Sequence, residues 1–410
     1  MAVIRPFECV RPNEDVASKV AALPYDVYNS REAREEVARE PLSFLKIDRA
    51  ETQFDESVDM YSPQVYKKAH DMLMEEIDDG TFITDEDKAY YVYELTMDGR
   101  TQTGIVACAS IDDYLNNVIK KHENTRAEKE QDRINHVDVC GAQTGPIFLA
   151  YRADNVINGE VIRAKQEKPI YSFTSVDGIR HQVWKVSDAD SVCRIETAFA
   201  GIQDIYIADG HHRAASAVKV GLKRRSENPG YNGTEEFNYF LSVLFPDEEL
   251  MIMPYNRVLK DLNGMSAQEF IGEISDKFNV NKSEGRVEPS RKGEFGMYLG
   301  KEWYRLTAKT EILSSDPVDG LDVAILQNNI LEPVLGIHDP KTDNRIDFVG
   351  GIRGLGELEL RCDMDCVLAF SMYATSISEL FAVADAGRLM PPKSTWFEPK
   401  LRSGLFIHRI

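Results

Sequence analysis

At 410 residues, with 43% hydrophobic and 28% charged side chains, the chain has ordinary globular composition and room for two or three domains. Its 48 basic and 68 acidic residues leave a net charge of −20, which argues against bulk coating of nucleic acid or anionic membrane and points to small ligands. Six cysteines form no C-x-x-C pair, the N-terminus has no apolar leader, and no run approaches the ~20 apolar residues of a membrane span, so a reduced, cytoplasmic chain is expected.

In chain order, helical periodicity begins at 63–79. "YYVYELTMDGRTQTGIVACASI" then reads as a hairpin, Tyr91 to Thr96 and Gln102 to Ser110 about an Asp98-Gly99 turn. A helix is expected over 112–137 and a buried strand in "PIFLAYR" (146–152). A second hairpin turns at Asp177-Gly178, followed by a helix over 188–200, the strand "DIYIAD" and a helix over 211–223 with Gly221 as its C-cap. "KRRSENPGYNGTE" (223–235) reads as a long surface loop before the core strand "FNYFLSVLF". Further helices are expected at 266–278, 319–331 and 376–387, with "GGIRGLGEL" (350–358) as a loop before a strand. Cys362 and Cys366 read as packing cysteines. The fold class is α+β (mixed α/β), with a main domain over 1–255, a smaller lobe or insertion over 256–345, and a segment 346–410 returning to the main domain.

"DIYIADGHHRAASAVKVGL" (204–222) concentrates the chemistry. A short apolar strand meets a helix through Gly210, so the unsatisfied N–H groups and positive dipole end of that helix face the strand's carboxyl end and attract anions. Arg213 supplies a planar fork for phosphate oxygens, and His211 and His212 supply donors or a proton acceptor. Asp209 would repel a phosphate unless it holds a histidine or a metal ion, so phosphate and Mg²⁺ together are expected, with Asp209 as the metal ligand. Singly, each of these residues reads as a cap, a solvated histidine or half of an ion pair; clustered after a buried strand, they read as a site.

In "VIKKHENTRAEKEQDRINHV" (118–137), Thr125 and Glu128 form a capping-box signature that starts a helix at Thr125. Lys129 and Arg133 share one face of it. Lys121, His122 and Glu123 lie in the preceding loop, where Glu123 is the candidate general base and His122 a catalytic neighbour. Asp26 and Asp132 are the alternative bases. In "MPPKSTWFEPK" (390–400), Lys393, Ser394 and Thr395 suggest a phosphate-contacting loop, although the glycines of a P-loop are missing.

Four blocks, "LPYDVYN" (23–29), "KKHENTRAEKEQDR" (120–133), "YIADGHHRAASA" (206–217) and "MPPKSTWFEPKLRSGL" (390–405), together resemble the bacterial and archaeal family catalogued as domain of unknown function 1015. "ADGHHR" also resembles the phosphate-binding turn of the ParB and sulfiredoxin-like superfamily, which includes nucleotide-hydrolysing partition proteins, ATP-using sulfiredoxins and kinases of free L-serine. That resemblance implies a ParB/sulfiredoxin-like core and a nucleotide-phosphate site at Gly210 to Arg213. Histidines stand where a sulfiredoxin has its reactive cysteine, which argues against that activity.

The leading expectation is therefore a phosphotransferase that uses ATP or ADP and Mg²⁺ to phosphorylate free L-serine or a similar hydroxylated metabolite. Gly210, His212, Arg213, Lys129, Arg133, Lys393, Ser394 and Thr395 would hold the nucleotide, and Glu123, His122, Asp209 and His211 would act in catalysis. A ParB-like nucleotide switch and a metal-dependent phosphohydrolase are the alternatives. Expected partners are a nucleotide and a small-molecule substrate, without membrane or nucleic acid, and with homodimerisation left open.

Overall fold

Asp-Gly turns flanked by β-branched and aromatic residues fold as type I′ hairpins, because both central residues must take positive φ. The computed structural model, which describes all 410 residues, has Asp98 at φ 50° and Gly99 at φ 80°, between strands Tyr90–Met97 and Arg100–Ser110. The second hairpin pairs Tyr171–Thr174 with Arg180–Val186 through a longer turn in which Gly178 alone takes positive φ.

These hairpins belong to a nine-stranded mixed sheet in a first unit, Met1–Leu250 plus Pro399–Ile410. From one edge the order runs Ile119–Lys120, Ile205–Asp209, Ile147–Tyr151, Tyr239–Pro246, Arg100–Ser110, Tyr90–Met97, Arg180–Val186, Tyr171–Thr174, and Ile4–Arg5 adds to Arg100–Ser110. Only two contacts are parallel, Ile205–Asp209 with Ile119–Lys120 and Tyr239–Pro246 with Ile147–Tyr151. Apolar side chains on one face, among them Tyr90, Val92, Ile105, Leu149, Ile207 and Leu244, pack with Ala214, Ala217 and Val218 of helix His211–Glu227 and Phe199 of helix Ala189–Gly201. Elsewhere in this unit Ile407–Arg409, at the C-terminus, pairs with both Cys9–Pro12 and Ala142–Gln143.

The second unit, Met251–Glu398, has its own antiparallel six-stranded sheet. Its order is Phe278–Ser283, Glu302–Ala308, Glu294–Leu299, Leu368–Ser371, Tyr255–Leu259, Ile346–Gly350. Residues 346–398 lie in this unit, and only the last twelve residues belong to the first. No helix is long and apolar enough to cross a membrane.

Several elements differ from the sequence reading. The helix expected over 112–137 is broken into Ile111–Leu115, the strand Ile119–Lys120 and Ala127–Cys140. Asn117, at φ 59°, ends the first turns, and Ile119 is drawn into the sheet beside Ile205. Periodicity alone does not register that pairing. Residues 354–364 form a helix rather than a loop, because Leu355, Leu358 and Cys362 recur at helical spacing and pack on one cluster. Helix Ala267–Ile274 stops short of 278, where Phe278–Ser283 begins as a strand. The segment 319–331 resolves into Asp322–Leu326 followed by a π-turn, Gln327–Leu331.

Gly221 is also not a C-cap, since its helix continues to Glu227. A Cβ there would collide with the backbone carbonyl of Phe237 and the side chain of Ile111. Alanine would gain about 1 kcal/mol of helix propensity, but the collision with backbone outweighs it at the usual 1–3 kcal/mol cost of overpacking. Gly221→Ala is therefore expected to lower the urea unfolding midpoint; a midpoint raised by the substitution would show that the close approach relaxes without cost.

Candidate functional site

The strand Ile205–Asp209 is buried through Ala208 and ends at Gly210, whose φ of 93° is the left-handed conformation that glycine adopts at little cost. A Cβ at Gly210 would lie 3.1 Å from the guanidinium of Arg213, so the missing side chain makes room for that group. Arg213 also passes close to Gly145 and donates Nη1–H to the Pro146 carbonyl, which fixes its plane. Asp209 accepts from the Gly210 N–H at 2.9 Å and pairs with Lys400 at 3.1 Å. Burial alone would raise its carboxyl, but the charges of Lys400 and Arg213 overcome this and hold it well below the usual range. The carboxylate is ionised, and its side chain remains 35% exposed.

The two histidines of the turn hold the loop before helix Ala127–Cys140. The rings of His211 and His122 meet edge to face at 4.5 Å, and the His122 N–H points to Nε2 of His211 at 3.5 Å. His212 Nε2 accepts the Arg126 N–H at 2.9 Å. Burial pushes His122 down to about 4, and burial with the neighbouring His122 takes His211 well below its ordinary value. Burial and the Lys129 charge lower His212. All three rings are neutral near pH 7, so Nε2 of His212 has a lone pair to offer. The Thr125 capping box does not form: the helix starts at Ala127 with Arg126 as N-cap, and the Thr125 hydroxyl donates to the Glu130 carboxylate.

Beside the turn, still within the first unit, lie two adjoining hollows. Tyr25, Asp48, Arg133 and His136 line both, so they form one cleft. Arg213, Thr144 and Ser403 border one part; Asp26, Arg49, Lys129 and Asp132 border the other. Arg133 stacks on the Tyr25 ring at 4.0 Å and pairs with Asp132 at 2.9 Å, and Asp132 also accepts the Tyr66 hydroxyl at 2.9 Å. Thr144 donates to Asp48 at 2.8 Å. Arg49 holds the Tyr25 loop through the carbonyls of Tyr25 and Tyr28, at 3.1 and 2.8 Å. Burial, reinforced by the Arg133 charge, keeps His136 neutral.

All four sequence blocks therefore reach this cleft: the first through Tyr25 and Asp26, the second through Lys129, Asp132 and Arg133, the third through Arg213, the last through Ser403. Of the expected site residues, Arg213, Lys129 and Arg133 line it. Gly210 seats Arg213, while Asp209, His211, His212 and His122 form the turn and its loop. Glu123 is exposed on that loop, between the two backbone positions that face His211 and His212. Lys393, Ser394 and Thr395 lie in the second unit, where Ser394 donates to the Pro391 carbonyl and its own carbonyl accepts from Thr375. The tail lysine that meets the turn is Lys400.

No group of three or more His, Cys, Asp or Glu side chains is arranged to hold a metal ion. Asp209 offers one carboxylate, with one oxygen on a backbone N–H and the other on an ammonium, a donor set that does not fit Mg²⁺. Sequence reasoning missed Asp48, Arg49, Thr144, His136, Lys400 and Ser403. The quoted tail block contained Lys400 and Ser403, whereas "LKIDRA" around Asp48 and Arg49 carries no motif.

The chain belongs to the family described as protein of unknown function (DUF1015), whose match spans residues 4–324. No curated protein matches it. Among solved structures it is similar to a free serine kinase in complex with AMP, at 13% identity and TM-score 0.35, covering 73% of this chain and 91% of that one. A conserved hypothetical protein from Pyrococcus furiosus shares 16% identity at TM-score 0.35, over 74% and 94% of the two chains. A C-terminally truncated SbnI from Staphylococcus aureus shares 11% at TM-score 0.38, over 72% and 85%. At these values the likeness bears on neither substrate nor activity.

The buried histidines give the site a pH signature. Unfolded, the His122 ring takes its proton near 6.5; folded, it does so only near 4. Between these values the unfolded chain binds more protons, so stability rises with pH and is lost as pH falls through that window, on the order of 3 kcal/mol from this residue. Urea unfolding midpoints measured from pH 7 to 4 should fall, and His122→Asn should flatten the slope; an unchanged slope would remove His122 as its source.

Proposed function

We propose that the cleft binds the phosphates of a nucleotide, ATP or ADP, and that the chain transfers a phosphoryl group to a small hydroxylated acceptor such as free L-serine. The observation that carries this reading is the convergence of Arg213, Arg133 and Lys129, from two distant sequence blocks, beside the N-terminal end of helix His211–Glu227. Guanidinium forks and helix N–H groups are the donors that phosphate oxygens call for. Tyr25, already stacked on Arg133, adds an aromatic face.

In this reading catalysis is mostly positioning and charge neutralisation. The acceptor oxygen forms a bond to phosphorus as the bond to the nucleotide's bridging oxygen breaks, and the acceptor proton passes to Glu123. Glu123 fits that role because contacts to His211 and His212 bracket its loop against the turn. Neutral imidazoles do this better than charged ones, which would lose the lone pair that holds Arg126. Asp209, held by Lys400 and the Gly210 N–H, takes no metal-binding part in this reading.

Arg213→Ala should weaken nucleotide binding by about 1.5–3 kcal/mol, the scale of a lost charged hydrogen bond, with the fold intact. Calorimetry giving parental affinity for the folded variant would put the nucleotide elsewhere.

Glu123→Gln separates transfer from binding. It should leave nucleotide affinity near the parental value and cut transfer of labelled phosphate to the acceptor by ~10²-fold or more. Parental transfer would make Glu123 a structural residue. If neither protein labels any metabolite while both bind nucleotide, a nucleotide-responsive switch becomes the better reading.

A further inference from the structure

Four arginines are buried in this protein: Arg49, Arg133, Arg257 and Arg402. Arg49 pairs with Glu51, Arg133 with Asp132 and Arg402 with Asp177. Arg257, the most buried at 3% exposure, has no carboxylate partner. It lies on strand Tyr255–Leu259 of the second unit, with Nη1 donating to the Tyr255 carbonyl, Nη2 to the Lys393 carbonyl at 3.1 Å, and its guanidinium 5.4 Å from the centre of the Phe348 ring.

Carbonyl oxygens satisfy hydrogen bonds but do not cancel a charge, and an uncompensated buried cation costs several kcal/mol. Burial accordingly pulls the Arg257 guanidinium down to about 10. In a chain with 68 acidic residues, a neutralising carboxylate would be easy to supply. Instead the segment hydrogen-bonded to Arg257 brings a second cation: the Lys393 ammonium lies 5.5 Å from the centre of the Tyr255 ring and makes no ion pair. Lys393 itself sits at φ 58°, with the Ser394 hydroxyl bonded to Pro391 and the Ser394 carbonyl to Thr375. Tyr255 in turn packs edge to face on Trp396 at 5.1 Å. The Lys393 backbone is thus tied to a buried guanidinium while its exposed ammonium lies over Tyr255, two residues away from Arg257 on the same strand, and neither cation has an ion-pair partner.

We propose that Arg257 and Lys393 form an anion site in the second unit that takes the phosphate group of a small molecule. Of the five N–H donors of a guanidinium, the two carbonyls use two. A dianionic phosphate matches the paired positive charges, where a single carboxylate would leave one unanswered. The inference is independent of the nucleotide reading of the cleft, because it concerns residues of a different unit.

The test uses the full chain carrying Arg213→Ala, which weakens the cleft, with inorganic phosphate as probe and calorimetric titration and thermal unfolding as readouts. Saturable phosphate binding is expected. Lys393→Gln, at an exposed position, should weaken it at least tenfold. Arg257→Met should abolish the phosphate-dependent rise in Tm without lowering Tm in phosphate-free buffer, because it removes an unpaired buried charge. The inference is overturned by absence of saturable binding, by parental phosphate affinity in the Lys393→Gln protein, or by succinate binding where phosphate does not. Should Arg257→Met fail to fold, the Lys393→Gln titration decides alone.

Discussion

The first unit's site depends on one backbone choice: Gly210 turns left-handed at the end of a buried strand, and Arg213 fills the space its side chain would occupy. Any Cβ there would incur φ strain and also push aside the guanidinium that reaches over to Pro146. Because the strand Ile205–Asp209 is locked between two neighbours in the sheet, the turn cannot shift to relieve this. Strand, glycine and arginine therefore form one rigid part. It delivers the end of helix His211–Glu227, the Asp209 carboxylate and the Arg213 fork to fixed positions in a single step.

Charge is handled locally in a way that net charge hides. The chain carries −20 overall, whereas its cleft sets Arg49, Lys129, Arg133 and Arg213 against Asp26, Asp48, Glu51 and Asp132. Each guanidinium there is held by acids or carbonyls that set its plane: Glu51 for Arg49, Asp132 for Arg133, the Pro146 carbonyl for Arg213. Tethering of this kind sacrifices some positive potential for geometry. The pair Asp209–Lys400 follows the same logic, since it ties the C-terminal tail to the turn and offsets the upward pull of burial on the carboxyl.

The mixed fold and most of its elements were legible because their causes are local. Asp98-Gly99 imposes its turn whatever surrounds it, and helix Ala189–Gly201 is bounded by an aspartate cap within its own sequence. Errors fell where a distant contact decides. Gly221 has the composition of a cap but answers to the Phe237 carbonyl, and Ile119 leaves a helical pattern to join a strand some 85 residues away. The site followed the same division. The turn residues Asp209 to Arg213 are contiguous and could be read together, whereas Asp48, Arg49 and Thr144 stand in unremarkable segments that only the folded chain assembles.

The adjacent histidines of the candidate site take a positioning part that their sequence motif does not spell out. Two imidazoles beside an arginine suggest donors, metal ligands or a proton relay, all of which need the rings to be charged or accessible. His211, buried beside His122, and His212, half-buried beside Lys129, are instead held neutral. A neutral imidazole carries one acceptor nitrogen, and here His212 spends it on the backbone N–H of Arg126. His211 and His212 follow each other in a helix, about 100° apart, so they reach separate positions of one loop, at His122 and Arg126. Two contacts on the same loop limit its rotation in a way that one contact would not. Whatever Glu123 does at the exposed crest of that loop, its placement is set by the turn that also sets Arg213.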